Sequence, residues 1–213
     1  MKKIAMFVFA IMLCTASLYA QKPKTIDYAG RIGAPTVDEP AVLTKIFSNL
    51  GPATAAYAGS AWLLTGPLSA SGGSQFIAMP FTPKQNAHVS QVRAAVQYNA
   101  SGANQVNLSL YSDASGAPGT LLAGPVTVKN LPTFYTCCKT ANASFPAVAV
   151  TAGTQYWIVA DTPTTGTGSD LEGVWCFVPP TKILVGADEN SGGWFNFASG
   201  SNEPAGAAYG SIP

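Results

Sequence analysis

Short stretches in which apolar and polar residues alternate recur along most of this chain, and turn-forming residues separate them. The clearest stretch is 105–112, where Val106, Leu108 and Leu110 occupy one face and mostly polar residues occupy the other. A period of two residues is typical of a β-strand with one buried face and one solvated face. We therefore predict that these three side chains enter a core and that the opposite face of the strand meets water.

The same reasoning predicts strands along most of the chain, with Tyr156 and Trp157 as structural residues of a central strand. A run at 42–50 has the apolar spacing of a short helix and is bounded by Pro40 and Pro52. No longer segment has a convincing helical period. The predicted strands are 75–81, 91–98, 105–112, 126–130, 147–151, 153–161, 171–178, 183–186 and 194–197.

Consecutive strands joined by short turns, without alternating helices, predict an all-β fold. We expect a single antiparallel β-sandwich of the jelly-roll type over residues 42–213, with the many Gly and Pro residues in its turns. Residues 21–41 are polar and contain several prolines, so we expect them to form an exposed lead-in. No second domain boundary is indicated.

Residues 1–20 have the three parts of a secretory signal peptide. Lys2 and Lys3 precede the apolar run 4–13, and cleavage is expected after Ala20. This run is too short to span a bilayer, which needs about 20 apolar residues. We expect a secreted or periplasmic protein with no membrane contact after cleavage. Acylation at Cys14 is not expected, because a lipoprotein signal needs a small residue in the place of the preceding leucine.

The sparse and balanced charge excludes several classes of protein. Only 10% of residues are charged, with 11 Lys+Arg against 10 Asp+Glu, whereas a nucleic-acid binder carries a basic patch or stripe. A hydrophobic share of 47% argues against a disordered chain. The chain has a single histidine, His88, which is fewer histidine ligands than the usual zinc site needs.

Three cysteines remain after signal cleavage, and export places them in an oxidising compartment. Cys137 and Cys138 are adjacent, so in a strand their side chains point to opposite faces and only one easily meets Cys176. We expect a structural disulfide of Cys176 with Cys137 or with Cys138, and the sequence leaves both pairings open. Three free, half-buried thiols are the alternative, and no C-x-x-C motif indicates a redox role.

The sequence contains no recognisable catalytic constellation. A G-x-S-x-G nucleophile elbow and a glycine-rich phosphate loop before a helix are both missing. His88 has no local orienting carboxylate, so we interpret it as a surface or turn residue. We therefore expect that the protein is not an enzyme. If the protein is an enzyme, the alternative is an extracellular glycoside hydrolase that uses two of the ten acidic residues.

Alternation in 194–197 places Trp194 and Asn196 on one face and two phenylalanines on the other. If the phenylalanines belong to the core, Trp194 is exposed beside an amide that can bind hydroxyl groups. This pattern predicts an aromatic platform for a carbohydrate, with Trp175 as a further contact. The alternative is that Trp194 belongs to the core or covers an edge.

Oxygen-bearing side chains cluster at Asp188, Glu189 and Asn190, and 191–193 supplies a tight bend. Calcium takes six to eight oxygen ligands, so a loop of this kind is a candidate calcium site. The spacing does not match an EF-hand, and a solvated acidic turn is the alternative. We expect no other cofactor.

The order of several motifs resembles the bacterial choice-of-anchor secreted domains. These motifs are IFSNLG at 46–51, QFIAMPFT at 75–82, the SDASGAPG turn at 112–119 and AGTQYWI at 152–158, and the resemblance covers about residues 45–200. It implies an extracellular β-sandwich module of the kind that often precedes a surface-anchor signal, and it implies no catalytic residues. The sequence departs from the family because no hydrophobic tail or basic cluster follows Ala205. We therefore expect a released, periplasmic or partner-held protein.

Together these patterns predict a non-catalytic secreted or cell-surface-associated binding or adhesion module. Its expected partner is an extracellular ligand, either a polysaccharide or another surface protein, and not a nucleic acid. A carbohydrate-binding protein with an exposed aromatic platform is the more specific alternative.

Overall fold

The computed structural model of the protein describes residues 24–27, 43–50, 60–134, 139–178, 187–189, 193–196 and 202–213. These residues contain strands and no helix, and every pairing between the strands is antiparallel. The predicted all-β antiparallel sandwich is therefore confirmed. The strands are β1 Thr25–Asp27, β2 Thr44–Ser48, β3 Ser60–Thr65, β4 Phe76–Phe81, β5 Ala87–Ala94, β6 Val96–Ser101, β7 Gln105–Asp113, β8 Pro118–Lys129, β9 Ala141–Val150, β10 Tyr156–Asp161, β11 Glu172–Cys176, β12 Ala187–Glu189, β13 Trp194–Asn196 and β14 Gly206–Ser211.

The strands form one six-stranded sheet, in the order β13-β12-β4-β10-β7-β8, and two four-stranded sheets, β1-β3-β11-β6 and β2-β14-β5-β9. Core side chains of the six-stranded sheet pack against the sheet that contains β14. The rings of Phe47 and Phe81 lie 5.6 Å apart, and Gly206 lies against the side chain of Met79. This arrangement puts the predicted inward face of β7 in the core, where Val106, Leu108 and Leu110 are all buried.

The two four-stranded sheets meet at a junction of three buried residues, Ala95, Cys176 and Ala205. The backbone N–H of Cys176 donates to the carbonyl of Ala95 (3.0 Å), the N–H of Ala95 donates to the carbonyl of Ala205 (2.9 Å), and the N–H of Ala205 donates to the carbonyl of Cys176 (2.9 Å). Buried backbone groups need such partners, because an unpaired one costs about as much as a lost hydrogen bond. Pairing therefore continues across the boundary between these sheets.

Some expectations about local structure are wrong. The stretch 42–50 contains the strand β2 and not a helix, because its backbone pairs with β14 and tertiary pairing outweighs the apolar spacing. The strands β3 and β14 are not among the predicted elements. Residues 183–186, which we expected to form a strand, lie outside the described residues.

The second face of β7 is buried, whereas its alternating pattern predicts a face in water. Gln105, Asn107 and Ser109 on that face are 7%, 8% and 1% exposed. The side chain of Gln105 donates to the carbonyl of Thr167 (2.8 Å), and the amide oxygen of Asn107 accepts from the hydroxyl of Thr127 (2.8 Å). Both amides can be buried because neighbouring segments supply their hydrogen bonds.

The signal segment 1–20 lies outside the described residues. Part of the expected lead-in joins the sandwich, since β1 pairs with β3 and the backbone N–H of Lys24 donates to the side chain of Gln75 (2.8 Å). The side chain of Gln75 in turn donates to the carbonyls of Lys24 (3.0 Å) and Leu63 (2.6 Å). The strand β1 is thus held at the edge of its sheet by a buried amide.

The expected disulfide of Cys176 is not formed in the structure. Cys176 carries a free thiol that is 5% exposed, and its expected partners, Cys137 and Cys138, lie outside the described residues. Cys176 lies opposite Ala61 in the register of β11 and β3, where it packs as a small apolar residue. Burial raises the pKa of its thiol to about 12, so the reactive thiolate is scarce at neutral pH.

Alkylation of Cys176 tests this placement. In the native protein without reductant, we expect iodoacetamide to leave Cys176 unmodified, because the thiol is buried and protonated. In denaturant without reductant the same cysteine should alkylate fully. Peptide mass spectrometry reads out both states, and a Cys176 that alkylates in denaturant only after reduction would show that it belongs to a disulfide.

Gly102, in the turn between β6 and β7, has a φ of +75°, and a Cβ there would overlap the backbone carbonyl of Asp170. The same turn is anchored by a hydrogen bond from the N–H of Ala103 to the Asp170 carboxylate (3.1 Å). Gly153 has an almost equal φ of +74°, but no atom lies within 4 Å of the position that a Cβ would take there. A comparison of substitutions at the two glycines therefore separates the energetic cost of the left-handed backbone from the cost of steric crowding.

We expect Gly102→Ala to lower the free energy of unfolding by about 2 to 5 kcal/mol, because left-handed backbone and overpacking both contribute. Gly153→Ala is the matched control, with a loss of about 1 to 2 kcal/mol from conformation alone. Urea unfolding followed by tryptophan fluorescence measures both. Equal losses for the two variants would contradict the close approach of the Gly102 turn to Asp170.

Candidate ligand-binding surface

The outer face of the six-stranded sheet carries its own hydrophobic cluster, separate from the main core. Ala78, Trp157 and Val159 are buried there, and Tyr111 and Trp194 pack against them. Cross-strand register places Val159 opposite Ala78 and Trp157 opposite Tyr111, so these side chains share a face. We call these five residues the outer cluster.

The turn between β7 and β8, residues 113–117, is tied to this cluster by one carboxylate. Asp113 accepts hydrogen bonds from the indole N–H of Trp157 (2.8 Å), from the side chain of Gln155 (2.7 Å) and from the backbone N–H of Gly116 (3.1 Å). The N–H of Ala114 donates to the carbonyl of Ala117 (2.8 Å) and closes the turn. A single side chain therefore links the turn to β10.

The pKa of Asp113 is lowered from its ordinary value. Burial acts in the opposite direction, but the hydrogen bonds from Trp157, the Gly116 backbone and Gln155 together outweigh it. Hydrogen bonds to the charged form of a carboxyl group favour that form. Asp113 is thus a carboxylate at neutral pH, where it holds the turn against the outer cluster.

The strand β13 brings Trp194 and Asn196 to the same outer face, as their alternation predicts. Asn196 pairs with Ala187, and Ala187 pairs with Ala78 of the outer cluster. Trp194 is half-buried against that cluster, while Asn196 is exposed. The Asn196 amide nitrogen lies 3.8 Å from the position of a Cβ at Gly116, so it borders the β7–β8 turn.

Phe195 does not belong to the core, so the condition under which the alternation predicts an exposed Trp194 is not met at this residue. It occupies the other face of β13 and is 39% exposed. β13 lies at the edge of the six-stranded sheet, where β12 is its one neighbour among the described strands, and an edge strand is less enclosed than a central one. Phe197, the other phenylalanine of that condition, lies outside the described residues.

Trp175 is not available as a ligand contact. Its side chain is 0% exposed, and its indole N–H donates to the carbonyl of Ala205 (2.7 Å). It lies on β11 in the middle of a four-stranded sheet, so its ring serves the core. The predicted contact at Trp175 is therefore wrong.

The expected calcium loop is in part a strand. Asp188 and Glu189 belong to β12, which pairs with β4 on one side and β13 on the other, and Asn190 lies outside the described residues. Among the residues that the structure describes, no group of three or more His, Cys, Asp and Glu side chains is placed to hold a metal ion. Calcium binding here stays a prediction.

Sequence reasoning missed most of the residues that shape this surface. Asp113 is recognisable from the sequence only as a turn residue, since aspartate readily bonds the backbone of its own turn, and the bond to Gly116 is of that kind. Its bond to Trp157 joins residues 44 positions apart, which no local pattern reveals. Tyr111 and Gln155 carry no signal of their own.

Comparison of the chain with protein-family models, curated proteins and solved structures finds no match. The resemblance to choice-of-anchor domains therefore stays a prediction. Within the described ranges, no helix has the length and apolar character needed to cross a membrane.

Replacement of the Asp113 charge tests how the turn is held. Asp113→Asn should lower the free energy of unfolding at pH 7 by about 0.5 to 1 kcal/mol, because charge-assisted hydrogen bonds are lost and solvent screens part of their contribution. The folded-state pKa is lowered, so the stabilisation is present above the unfolded value of about 3.9. It disappears as the pH falls from there through the lower folded pKa.

Urea unfolding of both proteins at a series of pH values between neutral and acid measures this difference. A control with Trp157→Phe removes the indole donor, and Asp113→Asn should then cost less in that background. A gap between wild type and Asp113→Asn that stays constant down to the most acid pH would contradict the role of the charge.

Proposed function

We propose that the protein is a non-catalytic, exported binding module that contacts an extracellular ligand through its Trp194 surface. This surface comprises Trp194, Asn196 and the β7–β8 turn 113–117. The observation that carries the proposal is the combination of a half-buried indole with an exposed amide on one outward face. Aromatic rings and a few placed polar groups are what small binding sites typically offer.

The surface has a firm support, which favours binding. Trp194 rests on the outer cluster, and the adjacent turn is fixed by the three hydrogen bonds of Asp113. Sites built on strands and locked by secondary hydrogen bonds need little ordering when a ligand arrives. The ligand then meets a largely preformed surface.

A carbohydrate is the ligand class that the exposed amide favours. The apolar face of a sugar ring packs on an indole, and the side chain of Asn196 offers both a donor and an acceptor to its hydroxyl groups. An apolar protein partner would gain little from that amide. A polysaccharide is therefore the specific form of the proposal, and a surface protein is the alternative.

The state of Asp113, the carboxylate of the β7–β8 turn, does not favour a role for this residue as a catalytic acid. A glycosidase needs an acid with a raised pKa to protonate the leaving group, and a second carboxylate across the bond. Asp113 has a lowered pKa, and its oxygens already accept three hydrogen bonds. It acts as a structural anchor of the turn.

Export is part of the proposal and rests on the sequence of residues 1–20. The positive start, the apolar run and the Ala20 site support a secreted or periplasmic location. The resemblance to choice-of-anchor modules supports the same location. A protein held outside the cell with a preformed aromatic surface suits adhesion or ligand capture.

Trp194→Ala is the direct test, and Phe195→Ala is its matched control on the opposite face of the same strand. On a glycan array and in affinity electrophoresis with soluble polysaccharides, we expect Trp194→Ala to weaken binding at least about tenfold. Phe195→Ala should stay within about twofold of wild type, because Phe195 faces away from the ligand.

Far-UV circular dichroism confirms that both variants fold. Absence of wild-type binding to every glycan would refute a carbohydrate ligand. Equal losses for Trp194→Ala and Phe195→Ala would show that the Trp194 surface is not the binding surface.

A further inference from the structure

A second concave site lies at the opposite edge of the six-stranded sheet from β13. The end of β8 and the start of β9 line a cavity of about 270 Å³. Five strand-to-strand steps separate β8 from β13 across the sheet, which corresponds to roughly 24 Å. This cavity is therefore distinct from the Trp194 surface. Its lining consists of residues 128–132 and 139–142.

The charge of this cavity is entirely positive. Lys129 and Lys139 both line it, and none of its lining residues is Asp or Glu. The whole sequence is nearly neutral, with 11 Lys+Arg against 10 Asp+Glu. Two lysines around one small cavity whose lining holds no acidic residue therefore create a local attraction for anions.

The polar rim of the cavity offers further donors. The hydroxyl of Thr140 donates to the Oδ1 atom of Asn142 (2.8 Å), which leaves the Nδ2 group of Asn142 to donate elsewhere. Asn130 is exposed at the same rim. Ammonium and amide donors together suit an anionic oxygen group.

The wall between the two lysines is held in place. The side chain of Asn104 accepts from the N–H of Leu131 (2.7 Å) and donates to its carbonyl (3.0 Å). The N–H of Asn130 donates to the carbonyl of Asn104 (3.1 Å). Leu131 and Ala141, which are 4% and 1% exposed, supply an apolar floor. The site thus combines a fixed apolar floor with a cationic rim.

A third cation, Arg93, lies on β5, the strand that pairs with β9. Arg93 is the direct cross-strand neighbour of Asn142 and is 2% exposed. Its Nε donates to Gln91 (2.9 Å), and its guanidinium lies 4.5 Å from the ring centre of Tyr209. Its Nη1 atom finds no hydrogen-bond partner in the part of the chain that the structure describes. Arg93 does not line the cavity, so its charge adds to the positive potential there only from a distance.

We propose that this cavity binds an acidic sugar unit, carboxylated or sulfated, of a polyanionic polysaccharide. The cavity is slightly smaller than the range of about 300 to 1,000 Å³ that holds drug-sized ligands, so it suits one sugar ring. The apolar floor meets the C–H face of the ring, while Lys129, Lys139 and Asn142 meet the anionic group. The proposal goes beyond the Trp194 surface and does not depend on it.

Isothermal titration calorimetry with three oligosaccharides tests the proposal. The ligands are an oligogalacturonate, a sulfated oligosaccharide of similar length and a neutral oligosaccharide. We expect the folded wild-type protein to bind at least one acidic ligand, more weakly at high salt because the charges are screened. The neutral ligand should not compete with it. The preferred acidic ligand identifies the anionic group as carboxylate or sulfate.

The double variant Lys129→Gln/Lys139→Gln should lose at least about tenfold in affinity for the acidic ligand. Each single variant, Lys129→Gln or Lys139→Gln, should also weaken binding. Lys84→Gln, at another exposed lysine, is the charge-matched control for these single variants and should stay within about twofold of wild type. Both cavity lysines are exposed, so the variants should fold like wild type.

Trp194→Ala separates this proposal from the proposed function, because it should leave binding of the acidic ligand unchanged. Failure of the wild type to bind either acidic ligand, or unchanged affinity in the double lysine variant, would overturn the proposal. Loss of acidic binding in Trp194→Ala would instead assign it to the other edge of the sheet and also overturn the proposal.

Discussion

A buried indole must place its N–H group on an acceptor, because an unpaired buried donor costs more than the bond itself contributes. Three of the four tryptophans meet this requirement with acceptors far away in the sequence. Trp62 and Trp175 donate to the carbonyls of Asn202 (2.9 Å) and Ala205 (2.7 Å). Both acceptors precede β14, so these two indoles hold the segment through which the two four-stranded sheets are joined.

The third indole, that of Trp157, organises the outer face of the six-stranded sheet. Its bond to Asp113 keeps the β7–β8 turn beside the outer cluster, and its ring supplies the apolar support on which Trp194 packs. Strand order then separates the two proposed sites, the Trp194 surface and the cationic cavity, because β13 and β8 are the two edges of one sheet.

The sequence predicted the sandwich because period-two patterning reports directly on a buried strand face, as Val106, Leu108 and Leu110 show. It missed β14, since small residues in Gly206–Ser211 resemble a turn, whereas in the fold they allow close packing against Met79 and β5. At the candidate site, alternation correctly placed Trp194 and Asn196 together. The exposure of Phe195 and the burial of Trp175 depended on which strand is an edge and which is central, and local patterns do not carry that information.

Three indoles of the sandwich are paired with acceptors, whereas the ring of Trp194 is half-exposed on the outer face. The Trp194 indole therefore reports on the proposed binding surface, and the indoles of Trp62 and Trp175 serve as internal controls. The decisive measurement is a ¹H–¹⁵N spectrum of protein labelled at tryptophan, titrated with a soluble polysaccharide that the protein retains in affinity electrophoresis. The indole resonance of Trp194 should shift with ligand, while those of Trp62 and Trp175 stay in place. A titration in which Trp62 or Trp175 shifts and Trp194 does not would contradict the proposed binding surface.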